Sequence, residues 1–426
     1  MIAGVALLIL ALLGAPLFAV ITASALLGFS RQEVDLAVVP IEIYRLAEMP
    51  VLLAIPLFTF AGFLLGKSGA PQRLVRLSNS LLGWMPGGLA IVALTACALF
   101  TAFTGASGVT IIALGALLYP ALQQAGYDER FNLGLITTSG SLGLLFAPSL
   151  PLILYGVVAQ QMALDEPVSI DDLFLAGILP GLLMLVLLSI WSIAQGTPKR
   201  ASAPPRERGD IAASLRESAW EIPLPLIVLG GIYSGYFAVS EAAAVTALYV
   251  LIVEVLVHRE IRLRELPEIM REAMTLVGGI LIILGGSLAS TNYLIDAEVP
   301  QRLFEAVQAA IDSKWTFLIA LNIFLLALGT MLDVFSALVI IVPIILPIAT
   351  AYGIHPVHLG IIFLANMQIG YFTPPVGMNL FIASYRFGKP ILELYRATLP
   401  FFFILLGAVL IITYWPSLSL FLLETR

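Results

Sequence analysis

Uncharged apolar runs about 20 residues long recur from one end of this chain to the other, and they leave it little choice but a membrane. Crossing about 30 Å of hydrocarbon takes about 20 helical residues. Such runs fall at about 2 to 29, 50 to 66, 132 to 160, 172 to 195, 222 to 239, 240 to 257, 273 to 292, 357 to 385 and 395 to 422. Charged residues make up 11 % of the 426 positions, against about 25 % in a soluble domain. They concentrate at about 196 to 220 and 258 to 272. The expectation is an all-α polytopic membrane protein whose first run is a spanning helix rather than a cleaved leader. A net charge of −6 spread over many loops gives no nucleic-acid signature. The lone Cys97 allows no internal disulfide.

Two further apolar regions, about 84 to 122 and 315 to 350, are interrupted near their middles by TAFTGASGVT (101 to 110) and GTMLDVFS (329 to 336). Each is expected to be a re-entrant helical hairpin, and in 84 to 122 neither half alone is comfortably long enough to span. The alternative for 84 to 122 is two short spans about a glycine turn. Lipid cannot hydrogen-bond free backbone, so a tip at membrane depth needs protein or a water-filled cavity around it.

With the N-terminus cytoplasmic and the hairpins re-entrant, 16 of the 21 cations lie inside. Only Arg31, Arg45, Arg302, Lys314 and Arg426 lie outside, with the C-terminus, which satisfies the positive-inside rule. The acidic loop DEPVSIDD (165 to 172) then faces out; Trp84, Trp191 and Trp220 sit at the inner interface, Trp315 and Trp415 at the outer. The chain also resembles itself. PQRL occurs at 71 to 74 and at 300 to 303, and collinear matches pair Trp84 with Trp315, Pro120 with Pro347, Leu133-Gly134 with Leu359-Gly360, Phe146 with Phe372 and Pro148 with Pro374. This divides the chain into a first repeat, 1 to 195, and a second, 240 to 426. Between them lie a cytoplasmic linker and one connecting span, 196 to 239, whose odd crossing inverts the second repeat. Amphipathic stretches at about 31 to 49 and 258 to 272 are expected along the membrane faces.

No HExxH, GxSxG or facing aspartate pair is present, so an enzyme is not expected. His258, His355 and His358 fall in loops or at helix ends and receive no role. The chemistry is expected at four backbone interruptions. Thr104, Gly105, Ala106, Ser107 and Gly108 form the first tip, and Ala147, Pro148 and Ser149 break the span that follows. Gly329, Thr330, Met331 and Asp333 form the second tip, and Thr373, Pro374, Pro375 and Gly377 break its span. Proline removes an amide and frees carbonyls, which with hydroxyls suit a small hard cation such as sodium, so two matched breaks suggest two cation sites. Half-helix N-termini at the same depth suit an anionic substrate, a small carboxylate. Asp333, the one carboxylate expected deep in the apolar layer, is either an ion ligand or the N-cap of the second arm, and the two roles can coexist. Ser139, Ser141, Asn366 and Gln368 sit just before the breaks, where they line the substrate cavity or hydrogen-bond between helices.

These residues resemble the large membrane (M) subunit of tripartite ATP-independent periplasmic (TRAP) transporters. The resemblance rests on TGASGVTIIALGALLYPAL, APSLPLILYGVVA, SIDDLFLAGILPGLL, SEAAAVTALYVL, MLDVFSALVIIVPIILPI and IGYFTPPVGMNLFIAS, in that order. The first tip departs from the serine pair associated with many members, having Ala106 before Ser107. The resemblance implies sodium-coupled uptake through an elevator-type motion in a bacterial inner membrane. It also implies a small membrane subunit and a periplasmic substrate-binding protein that delivers an organic acid. The rivals are a stand-alone sodium/dicarboxylate-type symporter and, from another class, an ion channel or a non-transporting scaffold.

Overall fold

A computed structural model describes residues 7, 9–10, 13–82, 87–162, 167–195, 209–311 and 313–424, and among these residues the fold is helical with no strand. Among the described residues, eight helices are long and apolar enough to cross a membrane, nine if the bent pair Glu129–Leu145 and Leu150–Gln160 is taken as one span.

One group of helices forms a framework. Leu17–Arg31, Ala54–Lys67, Pro223–Tyr233, Val239–Ile252 and Leu266–Asp296 pack on one another, with Leu266–Asp296 touching both Leu17–Arg31 and Ala54–Lys67. Phe29 meets Tyr293 edge-on at 5.7 Å between ring centroids, beside Ala25, Val39 and Ala289. A helix over 2 to 29 was expected; instead a turn at Leu13 and Gly14 precedes Pro16, and the helix starts at Leu17. Gly14 adopts φ +88°, open only to glycine at no cost, and the proline ring admits no helical hydrogen bond behind it.

Two other expected elements differ. The span 222 to 239 is only an 11-residue helix, Pro223–Tyr233, because Ser234 and Gly235 turn the chain; it is about 16 Å long, roughly half the hydrocarbon thickness. The stretch 258 to 272 is not a separate surface helix. Leu266–Asp296 runs unbroken for 31 residues and absorbs its second half into the span. At the C-terminal end, Trp415 and Pro416 divide 395 to 422 into Ile391–Tyr414 and the short Ser417–Glu424. Trp84, Asp165, Glu166, most of the linker and Arg426 lie outside the described residues.

The rest of the chain follows one element order twice. Each half has a connecting helix (Ala70–Leu82; Val299–Ala310), then two helical arms joined through two non-helical residues. The first hairpin is Gly88–Thr104 with Ser107–Gln124; the second is Lys314–Met331 with Val334–Ala351. A broken span follows in each half, Glu129–Ser139 with Leu150–Gln160 and Pro356–Gly370 with Met378–Phe387, and then a closing helix, Ile170–Gln195 or Ile391–Tyr414. The connecting helices were not foreseen as elements, although PQRL opens both. Three of the four arms have 18 residues and are long enough to cross, so length alone does not make them re-entrant.

Packing between the halves is reciprocal. The second arm of each hairpin lies on the far half of the other half's broken span, Ser107–Gln124 on Met378–Phe387 and Val334–Ala351 on Leu150–Gln160. Each closing helix lies on the near half of the other's broken span. The fully buried Tyr155 hydroxyl donates to Pro356 O at 2.6 Å, joining the two broken spans directly.

Candidate functional site

Helix Gly88–Thr104 ends because Gly105 turns left-handed, φ +65° and ψ 2°, with its N–H donating to Thr101 O at 2.8 Å. Glycine is required there twice over, since a Cβ would also lie 2.5 Å from Leu150 Cδ1 and 2.9 Å from Leu150 Cβ. Ala106 is extended and the helix resumes at Ser107. The Thr101 and Thr110 hydroxyls are 2.6 Å apart, tying the arms together, and Thr101 Oγ1 donates to Gly140 O at 2.9 Å. The first tip is thereby fastened to the first break. There the chain turns at Gly140 and Ser141, makes a short 3-10 turn over Leu142–Leu145, passes the cis Ala147–Pro148 bond and becomes helical again at Leu150. Pro148 and Ser149 are buried. Thr104 Oγ1 and Ser149 Oγ are buried oxygens with no hydrogen-bond partner among the described residues.

The second tip is built differently. Asp333 caps the second arm: Oδ1 accepts from Phe335 N and Ser336 N at 3.0 Å each, and Oδ2 accepts from the Ser336 hydroxyl. Thr330 O accepts from Gly377 N at 2.9 Å, and Val334 N donates to Tyr371 Oη at 2.7 Å, so this tip is fastened to the second break. Gly329 and Gly370 pack backbone against backbone. Thr373 Oγ1 donates to Ile369 O, and the Tyr395 hydroxyl donates to Pro375 O. The peptide bond before Pro375 is cis, as is the one before Pro148. Unlike the first break, this one is open: Pro374, Pro375 and Val376 are exposed, and Met331 is 70 % exposed.

The two broken spans touch where they break. Ser141 Oγ lies 3.1 Å from Gln368 O and 3.2 Å from Thr138 O, and Asn379 Nδ2 donates to Thr137 O at 3.2 Å. Thr138 Oγ1, Gln368 Oε1 and Asn379 Oδ1 are buried with no partner among the described residues. Thr137, Thr138 and Asn379 were not singled out in the sequence; the Thr-Thr-Ser run just before the first break and the Gly-Met-Asn just after the second were the available signals. Ser139 donates to Ile136 O of its own helix and also hydrogen-bonds the buried Cys97 thiol on the first hairpin arm, away from the other broken span. Asn366 belongs elsewhere: its amide donates to Asn322 Oδ1 at 2.7 Å, which also accepts from the Thr413 hydroxyl, a link between helices. His358, far from the tips, is buried against Ser419 and Thr413 O.

The arrangement offers helix C-termini and freed carbonyls for cations, and N-termini of Ser107–Gln124, Val334–Ala351, Leu150–Gln160 and Met378–Phe387 for an anion. No group of three His, Cys, Asp or Glu side chains suited to a transition metal occurs among the described residues.

Residues 3–418 match the family described as "Tripartite ATP-independent periplasmic transporter, DctM component". The chain is 37 % identical over 381 residues to the C4-dicarboxylate TRAP transporter large permease protein of Pseudomonas aeruginosa, covering 89 % of this chain and 88 % of that one. It is 32 % identical to the ectoine/5-hydroxyectoine TRAP transporter large permease of Ruegeria pomeroyi, with 97 % and 96 % covered. The sialic acid TRAP transporter large permease of Vibrio cholerae is 33 % identical, with 88 % and 86 % covered. Among solved structures, the YdaH transporter of Alcanivorax borkumensis shares the fold at a TM-score of 0.62 and 15 % identity, with 86 % of this chain and 84 % of that chain covered.

Proposed function

We propose, starting from the fact that this chain belongs to the family of DctM components of tripartite ATP-independent periplasmic transporters, that it imports a small organic acid driven by sodium. Two sodium ions are the coupling substrates, one held between the first tip, Thr104 to Gly108, and the first break, Ala147 to Ser149. The other is held between the second tip, Gly329 to Asp333, and the second break, Thr373 to Gly377. The observation that carries this reading is that each tip is fastened to the break of its own half, and that the two breaks meet through Ser141–Gln368 and Asn379–Thr137. Buried oxygens without donors, Thr104 Oγ1 and Ser149 Oγ at the first site, are the form an ion site takes before it is filled.

The same geometry favours re-entrant hairpins, because each tip meets a broken span midway along it, between helices of 11 and 11 residues in the first case. Reciprocal packing of the halves supports an inverted pair of repeats, 1 to 195 and 240 to 426. Uptake then proceeds by displacement of the hairpin-bearing body against the framework, with substrate between the tips near Ser141, Gln368 and Asn379. Ion pairs Lys67–Glu272, Arg73–Glu260 and Lys389–Glu129 join segments assigned to one and the same side, and the excess of lysine and arginine there makes that side cytoplasmic in this reading. A small membrane subunit and a periplasmic binding protein complete the system. The names of the relatives span C4-dicarboxylates, ectoine and sialic acid, so the particular acid is set by the delivered cargo.

The test is uptake into proteoliposomes holding this chain with its small subunit. A panel of organic acids loaded on the binding protein is offered with and without an inward sodium gradient. Accumulation that needs both sodium and the binding protein supports the reading; sodium-driven uptake of free acid points to a stand-alone symporter, and downhill flux alone to a channel.

A further inference from the structure

PQRL opens both connecting helices, yet its arginine meets opposite surroundings in the two. Arg73 is a hub. Its Nε lies 2.5 Å from Glu221 Oε1, its Nη1 2.5 Å from Glu260 Oε1 and its Nη2 3.2 Å from Glu254 Oε1; the Arg73 side chain is 12 % exposed and that of Glu254 0 %. Glu260 also accepts from Gly69 N, at the start of the same helix. Burial works against the guanidinium charge, but bonds to Glu260, Glu221 and Glu254 outweigh it and hold Arg73 above its ordinary pKa.

The attachment continues along the helix. The Ser218 hydroxyl donates to Arg73 O, Arg76 pairs with Glu217, and the Ser80 and Ser214 hydroxyls are 2.6 Å apart. These ion-pair and hydrogen-bond partners come from residues 214 to 260, the segment that carries Val239–Ile252, and that helix packs on Ala54–Lys67 in the framework; the connecting helix also lies along the first hairpin arm, Gly88–Thr104, through apolar packing that ties no charge. Arg302, by contrast, is exposed and makes no ion pair among the described residues. The second connecting helix is fastened to its own hairpin: the Tyr352 hydroxyl donates to Ile311 O at 2.6 Å, and Phe304 meets the Tyr352 ring edge-on at 5.6 Å. It follows Glu298, whose left-handed φ of +54° turns the chain between Leu266–Asp296 and this helix.

We infer that the first connecting helix is a fixed part of the framework, clamped there by Arg73 as a positioning residue, and that it does not travel with the hairpin it precedes. The inference rests on the two-body reading above. Removing one partner of a buried ion cluster leaves uncompensated charge and risks misfolding, so the test leaves the cluster intact. In a Cys97→Ala background, Ser80→Cys with Ser214→Cys places two thiols within disulfide reach across the clamp. As a companion, Ser287→Cys with Val339→Cys bridges framework and second hairpin, where Ser287 Oγ donates to Val339 O at 2.6 Å. Both are oxidised in proteoliposomes, and sodium-driven uptake is measured before and after reductant.

The expected result is uptake within twofold of the reduced state for the Ser80–Ser214 pair, and at least a tenfold loss, recovered on reduction, for the Ser287–Val339 pair. Loss in the Ser80–Ser214 pair that reductant restores overturns the clamp and leaves the two-body reading standing. Full uptake with the Ser287–Val339 disulfide formed removes the two-body reading itself, and the clamp falls with it.

Discussion

Gly105→Ala tests whether the first tip holds an ion. The left-handed backbone at φ +65° costs a residue with a Cβ about 1–2 kcal/mol. The new methyl would also press on Leu150, 2.9 Å from its Cβ, at the start of the helix that leaves the first break. If sodium binds only to the intact tip, a penalty of about 1–2 kcal/mol on that geometry raises the sodium half-saturation about 5- to 30-fold. Gly353→Ala is the control: φ is +70°, nothing lies within 4 Å of the added carbon, and the position is at the end of the second hairpin away from its tip. It carries a similar backbone cost and no effect on sodium. The assay is initial uptake against sodium concentration at saturating loaded binding protein. A half-saturation for Gly105→Ala within twofold of the parent, or an equal rise in Gly353→Ala, refutes the argument.

Three further substitutions separate the roles of neighbouring groups. Asp333→Ala removes the cap of the second arm and lowers thermal stability by about 1 kcal/mol, whereas Asp333→Asn keeps the two amide bonds and the stability; sodium half-saturation rises in both, and an unchanged value in the Asn variant reduces Asp333 to a cap. Asn366→Ala strips Asn322 of a buried donor and costs about 1–3 kcal/mol in detergent unfolding with the substrate KM unchanged; the opposite pattern would move Asn366 into the substrate cavity. Gly370→Ala drives a methyl into the Gly329 backbone, which cannot yield as a side chain does, so about 1–3 kcal/mol of destabilisation and loss of uptake are expected together.

What the sequence made legible was local. Proline pairs, the TGASG turn and long apolar runs announce their own interruptions and spans, so the hairpins and broken helices stand where Gly105, Pro148, Asp333 and Pro375 put them. What it concealed depends on partners far along the chain. Glu254 lies within an apparent span, and Arg73, 181 residues away, together with Ser68 makes its burial tolerable, so Asp333 looked like the sole deep carboxylate. Ala70–Leu82 and Val299–Ala310 are amphipathic and neither apolar nor long enough to register as spans, so they read as loops. Asn366 sits one turn before a break and looks like a cavity residue until Asn322, on another helix, claims its amide.

The Ser141 hydroxyl, standing between carbonyls of Thr138 and Gln368, has a consequence for how the carrier fills. A single small group joins the two broken spans just before they break, so a displacement at one break is felt as a tug on the other. If each break holds a sodium ion, as proposed, the expected result is joint filling, read as a sigmoidal rather than hyperbolic rise of uptake with sodium.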